Sequence, residues 1–280
     1  MDVLLHLGFP KTGSSTLQFG VFKPLHELGV INLNTWRRDD SNEHHDRRPS
    51  SRLFNSLDLL EESIEFEEKK LNVLSDESFT APIRLRKNNY GNEIKDPFSF
   101  PSVLKEQIER KYNNVNFKCL MVVRNHPSLI YSQYVEEYNL KKFKNVDILF
   151  ASDGSIDLSG YDIYNFNKYY LELVRVFGEE KVELMFFEQW SMNPDLFIAK
   201  LAELLGVQAK IVTDYLRESH VNKKEKSSSG YFTKDGTQCI PFLNEGQKRR
   251  IRENFANDSV QLSNLLPQGM DLKDLGYLNE

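Results

Sequence analysis

Cysteine is scarce, with only Cys119 and Cys239 in 280 residues. Two such residues make no disulfide framework, and neither belongs to the spaced Cys/His clusters by which zinc sites announce themselves. Cys119 lies in the apolar run FKCLMVV and reads as a buried free thiol. Long hydrophobic runs are also missing, and none approaches the roughly eighteen apolar residues needed to cross a bilayer. The N-terminus MDVLLHLGFPK opens with an acid rather than a basic segment, and its apolar stretch has the length of a strand. These features point to a cytoplasmic protein in a reducing compartment. Positive charge is not in excess: 36 Lys and Arg stand against 41 Asp and Glu, a net charge of −5. That balance argues against a nucleic-acid partner, so any anion must be met by a local patch. No Gly/Ser- or Pro-rich linker and no fixed-period repeat divides the chain, so a single domain over residues 1–280 is expected.

What is present alternates. Residues 3–7 form a short apolar run ending at Gly8, the pattern of a buried strand. A helix fits from Ser14, with Leu17, Val21, Leu25 and Leu28 on one stripe and Gly29 at its end. Residues 30–33 follow as a second short strand, and Leu53, Leu57, Leu60 and Ile64 mark another amphipathic helix. LNVLSDE (71–77) reads as strand then loop, and 78–101 as a long irregular segment carrying Pro82, Gly91, Pro97 and Pro101. NFKCLMVVRN (116–125) is the most apolar strand, expected at the centre of the sheet, with a helix starting near Pro127. NKYYLELVRVFG reads as a helix capped by Gly178, VELMFFEQW as a strand, and NPDLFIAKLAELLG as a helix opened by Asn193-Pro194 and closed by Gly206. A last helix is expected near residues 244–257. Strands alternating with helices predict an α/β fold of three layers, P-loop-like, with a central, mainly parallel sheet flanked by helices. Ligands on such sheets bind at the carboxyl ends of the strands, which is where both Lys11 and Arg124 fall.

The stretch LLHLGFPKTGSSTLQ (4–18) looks like a phosphate loop with its cation displaced. Gly8 and Gly13 have the Walker spacing G-x-x-x-x-G-K-[ST], yet Ser14 stands at the lysine position and the lysine comes early, at Lys11. Loop amides entering a helix start still make an anion cradle, with Gly13 permitting close backbone approach and Ser14, Ser15 and Thr16 adding hydroxyls. Lys11, ahead of the helix, is poorly placed for the Walker task of reaching the β- and γ-phosphates. The loop suits a shorter anion whose charge is approached from the side.

PKTGSSTLQ resembles the 5′-phosphosulfate loop of the sulfotransferases, and the flanking HLG and Gln18 resemble the bacterial members most closely. VVRNHPSLIYSQY is similar to the family's second signature, a strand-end arginine followed eight residues later by a helical serine: here Arg124 and Ser132. His126 intervenes between Arg124-Asn125 and Pro127, where many members have proline directly. LMFFEQWSMNPDLFIAKLAELLGV is similar to the family's late strand–helix unit, so the resemblance spans residues 3–206 with three anchors in order.

The resemblance implies transfer of a sulfuryl group from 3′-phosphoadenosine 5′-phosphosulfate (PAPS) to an acceptor hydroxyl or amine, leaving adenosine 3′,5′-bisphosphate (PAP), with no metal required. Lys11 would approach the bridging oxygen, the amides of Thr12, Gly13, Ser14, Ser15 and Thr16 would hold the 5′-phosphate, and Arg124 with Ser132 the 3′-phosphate. Lys223, Lys224 and Lys226 either close over that phosphate or form a solvated charge run. For the general base the first choice is Glu77, past a strand's carboxyl end, with Asp76, His6 and His126 as alternatives. His6 reads foremost as a residue that packs or orients the loop. The His44-His45 pair lacks further ligands at metal-binding spacing. The rival readings are a P-loop kinase or nucleotidase, against which Ser14 speaks, and a nucleotide-binding module without catalysis. The acceptor pocket is expected from loops 35–51, 78–101 and 141–160, whose Arg37, Arg38, Arg84, Arg86, Lys87, Trp36, Tyr90 and Phe98 suit a saccharide, a glycolipid or a small alcohol or phenol.

Overall fold

A computed structural model of the chain describes residues 1–35, 64–81, 96–139, 157–158, 160–218, 227–232, 236, 239–267 and 269–279. The helix expected over 53–64 therefore lies outside the described residues except for Ile64, and so do Trp36, Arg37, Arg38, His44, His45, Arg84, Arg86, Lys87, Tyr90, Lys223, Lys224 and Lys226. The described residues group into two compact units, 1–123 with 168–221 and 124–167 with 222–280.

The first unit is built on five parallel strands: β1 (Asp2–His6), β2 (Ile31–Thr35), β3 (Leu71–Ser75), β4 (Asn116–Val123) and β5 (Val182–Phe186). Their order in space is β2-β3-β1-β4-β5. β4 is thus an interior strand, as its apolar run demands, but β1 takes the middle place. His6 is in register with Ser75 of β3 on one side and Leu120 of β4 on the other. All carboxyl ends point one way, and the segments after β1 and β3 emerge side by side.

Alternation along the strands divides the sheet's two faces. Leu4, Val73, Leu120, Val122 and Met185 join a core with Val21, Phe22 and Leu25 and with two later helices, α7 (Pro194–Leu205) and α8 (Ala209–Glu218). On the other face Phe117 packs its ring against Phe177 of α5 (Phe166–Phe177), with centroids 5.3 Å apart. Lys105 of α3 (Phe100–Lys111) donates to the Val176 carbonyl at 3.2 Å, which ties α3 to α5. Each large apolar side chain fully withdrawn from water contributes about 1.5–3 kcal/mol, which is why these stripes dictate the layers. Cys119 is a buried free thiol as expected, and burial pushes its ionisation far up.

The first helix departs from the predicted one. It begins as α1 (Ser14–Thr16), widens into a π-helical stretch (Leu17–Phe22) and resumes as α2 (Lys23–Glu27). Pro24 is the physical reason, since a proline ring there would crowd the Gly20 carbonyl and removes one donor from an ordinary α-helix. The wider turn accommodates it, and the Lys23 amide reaches back to the Gln18 carbonyl. Leu17, Val21 and Leu25 are buried as expected, whereas Leu28 falls beyond the helix and is 67% exposed.

Two further boundaries differ. VELMFFEQW remains strand only to Phe186, because the Gln189 side chain accepts from the Phe186 amide at 2.9 Å and starts α6 (Phe187–Met192). The expected irregular segment gives way to helix at Phe100, after short 3₁₀ turns at Glu77–Thr80 and Pro97–Ser99. Helix α7 follows expectation, with the Asn193 side chain capping its start at the Leu196 amide and Gly206 in the left-handed region at its end.

In the second unit, α4 (His126–Asn139) packs with the long α9 (Glu245–Gln261). Asn244 and Gln247 cap α9 reciprocally, each side chain accepting from the other's amide at 2.9 Å. A small antiparallel pair, β6 (Gly230–Phe232) with β7 (Cys239–Pro241), completes it. No helix among the described residues is long and apolar enough to cross a membrane.

Candidate active site

The chain leaves β1 through Leu7, whose amide still pairs with the Leu120 carbonyl at 3.1 Å, and then turns sharply. Phe9 is fully buried and meets the ring of Tyr169 edge-on at 5.6 Å, which anchors the start of the turn. The Phe9 carbonyl gathers the loop: it accepts from the Thr12 amide (3.3 Å), the Thr12 hydroxyl (2.6 Å) and the Ser14 hydroxyl (3.1 Å). To close in so few residues the backbone enters the left-handed region twice, at Lys11 (φ 67) and Gly13 (φ 89). For Gly13 this is free of side-chain cost; for Lys11 it is strain of about 1–2 kcal/mol held at a candidate functional residue.

Gly13 is required for a second reason. A β-carbon there would stand 3.1 Å from the Phe187 ring and 3.4 Å from Trp190, which lie at the start of α6 after β5. The Thr12 amide is committed to Phe9 and the Thr16 amide to Gly13, at 2.9 Å. The helix start therefore leaves the amides of Gly13, Ser14 and Ser15 outside those bonds.

Beneath the loop lies a buried polar chain. His6 Nδ1 sits 2.7 Å from the Ser75 hydroxyl, which also accepts from Gln18 Nε2 at 2.9 Å. The Ser75 carbonyl takes the Thr35 hydroxyl at 2.6 Å. His6 is wholly buried and edge-on to Phe22, and desolvation lowers its pKa to about 4, so it is neutral at ordinary pH. Its ring is closed off from solvent and packed under the loop.

Past β3, the Asp76 side chain caps a single 3₁₀ turn by accepting from the Ser78 amide at 2.9 Å, and Asp76 itself is buried. Glu77 is half-buried on the same turn. That turn is fastened to the loop, because the Thr80 hydroxyl donates to the Gly8 carbonyl at 3.1 Å. The structure thus brings Glu77 and the Lys11 loop to one end of one sheet, as two adjacent parallel strands dictate.

A sulfotransferase domain profile matches residues 1–263. The chain belongs to the sulfotransferase family. Transfer of a sulfuryl group is accordingly its reaction. Among solved structures it is similar to a sulfotransferase from Alicyclobacillus acidocaldarius, at 14% identity over 97% of each chain with a TM-score of 0.54, a likeness of fold. It also matches a mouse sulfotransferase, SULT7A1, complexed with PAP, at 13% identity over 100% of this chain and 89% of that one, with a TM-score of 0.48. No curated protein matches the chain in sequence.

The remaining candidates of this sulfotransferase fall in the second unit. Arg124 directly follows the last residue of β4, and Asn125 accepts from the Ser128 amide at 3.0 Å to cap α4. The His126 insertion before Pro127 is thus absorbed as the first residue of that helix. Ser132 lies two turns in, half-buried. His126 is no base: it is fully buried, stacked between Phe166 (4.5 Å) and Phe255 (4.2 Å). Its Nε2 donates to the Tyr164 carbonyl at 2.9 Å, and desolvation lowers its pKa to about 4. Among the described residues no group of three or more His, Cys, Asp or Glu stands where it could hold a metal ion.

Sequence reasoning missed Phe187 and Trp190 over Gly13, Thr80 on Gly8, and the Ser75–Gln18 link. The doubled aromatic in LMFFEQW was the one available hint, and it read as more strand.

Proposed function

We propose that the protein moves the sulfuryl group of PAPS to a hydroxyl or amine acceptor of the saccharide, glycolipid or small-alcohol class, and releases PAP. The observation that carries this reading is the doubly left-handed turn, which presents Lys11 and the amides of Gly13, Ser14 and Ser15 from a strand end into a helix start. PAPS supplies an activated sulfate whose leaving group is a phosphate. Lys11 neutralises charge growing on the bridging oxygen, and the amides of Gly13, Ser14 and Ser15, from the loop Thr12–Thr16, hold the 5′-phosphate. Arg124 and Ser132 hold the 3′-phosphate. Glu77, with Asp76 as the alternative, takes the acceptor's proton.

Isothermal calorimetry with PAP against ATP–Mg²⁺ tests the donor assignment. Micromolar binding of PAP alone supports it, and preference for ATP–Mg²⁺ overturns it in favour of a kinase-like site. Transfer of labelled sulfate from PAPS to an acceptor panel then distinguishes a catalyst from a binding module.

A further inference from the structure

The chain beneath the loop has one open end. Among the described residues His6 Nε2, fully buried, finds no hydrogen-bond partner. It is aimed at the loop: the point where a β-carbon on Gly8 would stand lies 2.7 Å from His6 Nε2 and 3.3 Å from Ser14 Oγ. By those two distances the nitrogen and the hydroxyl oxygen stand at most 6.0 Å apart, with the space of one missing side chain between them.

One tautomer of His6 lets the whole chain run in a single direction. Gln18 Nε2 donates to Ser75 Oγ, so that oxygen already acts as an acceptor. Its own proton, given to His6 Nδ1 2.7 Å away, would leave the hydroxyl satisfied as both acceptor and donor. An imidazole that accepts at Nδ1 carries its proton at Nε2. In that tautomer His6 presents a buried N–H donor to the underside of the turn, and Ser14 Oγ, which donates to Phe9, keeps lone pairs with which to accept.

We propose that His6 is a positioning residue for the anion loop, the middle of a relay running from Gln18 through Ser75 and His6 to the hydroxyl of Ser14. When the loop holds an anion, Ser14 turns its proton from the Phe9 carbonyl to the bound phosphate, and His6 Nε2–H donates to Ser14 Oγ. Ordered in one direction, the four groups polarise one another and aim the last proton at the phosphate. Gly8 is part of the device, because any side chain there would fill the gap the relay must close. The inference rests on the donor-binding reading above.

The test is PAP binding by the full chain with a His6 series. His6→Phe keeps an aromatic body against Phe22 and removes the donor, and the expected result is about tenfold weaker PAP binding, the worth of one hydrogen bond to a charged cluster. His6→Gln, which returns an N–H donor at a similar reach, restores most of it. Ser14→Ala combined with His6→Phe weakens binding no further than Ser14→Ala alone, because both cut one chain. Nitrogen-15 NMR of wild-type His6 provides a reading free of folding effects: protonation at Nε2 in the free protein, with a shift of that N–H on adding PAP. Unchanged PAP affinity in a folded His6→Phe variant, a proton on Nδ1, or an Nε2–H signal indifferent to PAP overturns the relay while leaving the donor reading intact. Wild-type protein that ignores PAP overturns the donor reading itself.

Discussion

Replacing Gly13 by alanine separates two costs that the loop avoids together. The backbone at this position is left-handed (φ 89), and a β-carbon there costs about 1–2 kcal/mol. The same carbon would also stand 3.1 Å from the Phe187 ring, and overpacking a well-filled site costs about 1–3 kcal/mol. Gly13→Ala should therefore lose about 2–5 kcal/mol, a large share of the 5–15 kcal/mol by which domains are ordinarily stable. Urea denaturation followed by far-UV circular dichroism measures the loss. The decisive comparison repeats the substitution in a Phe187→Leu background. A smaller, more pliable neighbour removes the ring contact but not the backbone strain, so the penalty should shrink to about 1–2 kcal/mol. Equal penalties in the two backgrounds would refute the steric half of the argument. No penalty in either would refute the left-handed turn on which the cradle depends.

Other perturbations have equally definite signs. Lys11→Gly and Lys11→Ala should both lower labelled-sulfate transfer by about 10²–10³-fold, the usual cost of removing a group that stabilises leaving charge. Yet the glycine variant should be the more stable of the two by about 1 kcal/mol, since the backbone at Lys11 is left-handed; equal melting temperatures would contradict that. Asn72→Ala should cost about 3 kcal/mol or more, measured by the urea midpoint, because the buried amide serves the carbonyls of Asp2, Glu67 and Lys70, the Glu67 amide and the Asn32 side chain. Acid should weaken the fold through His6 and His126, whose folded-state pKa values of about 4 lie below the ordinary 6.5. Above pH 6.5 both are neutral whether the chain is folded or not, and they leave stability unchanged. Between pH 6.5 and about 4 the unfolded chain takes up protons that the folded chain refuses, a loss on the order of 3 kcal/mol for each. His126→Phe should abolish its share, so denaturation at pH 4.5 and 7 should differ less for the variant than for the wild type.

The parts of the fold visible in the residue order are those written by local pattern. Buried parallel strands show as unbroken apolar runs, which is why β1, β3 and β4 fall where expected, and helix caps such as Asn193 and Gly206 carry their own chemistry. The displaced lysine and the Arg124–Ser132 interval are legible because a loop and two helix turns fix their spacing. The misplacements have nonlocal or competing causes. Phe187 follows a strand without a polar break, and only the Gln189 side chain, folded back on Phe186, ends the strand there. His126 has the chemistry of a base, and it took Phe166 and Phe255, brought from 40 and 129 positions along the chain, to make it a core ring. The partners of His6 and Gln18 lie 69 and 57 positions away at Ser75, beyond the reach of any pattern read along a window.

The π-helical stretch between Leu17 and Phe22 also sets a limit on how this segment can change length. Removing one residue there would let the backbone wind as plain α-helix, because the wide turn holds one residue more than an α-turn, and Leu25 would still face the sheet. Pro24, however, would meet the turn it now evades, with its ring against the carbonyl four residues back, at a cost of about 3 kcal/mol. A single deletion in these six positions should therefore destabilise the helix through Pro24, and a second substitution of that proline should restore it.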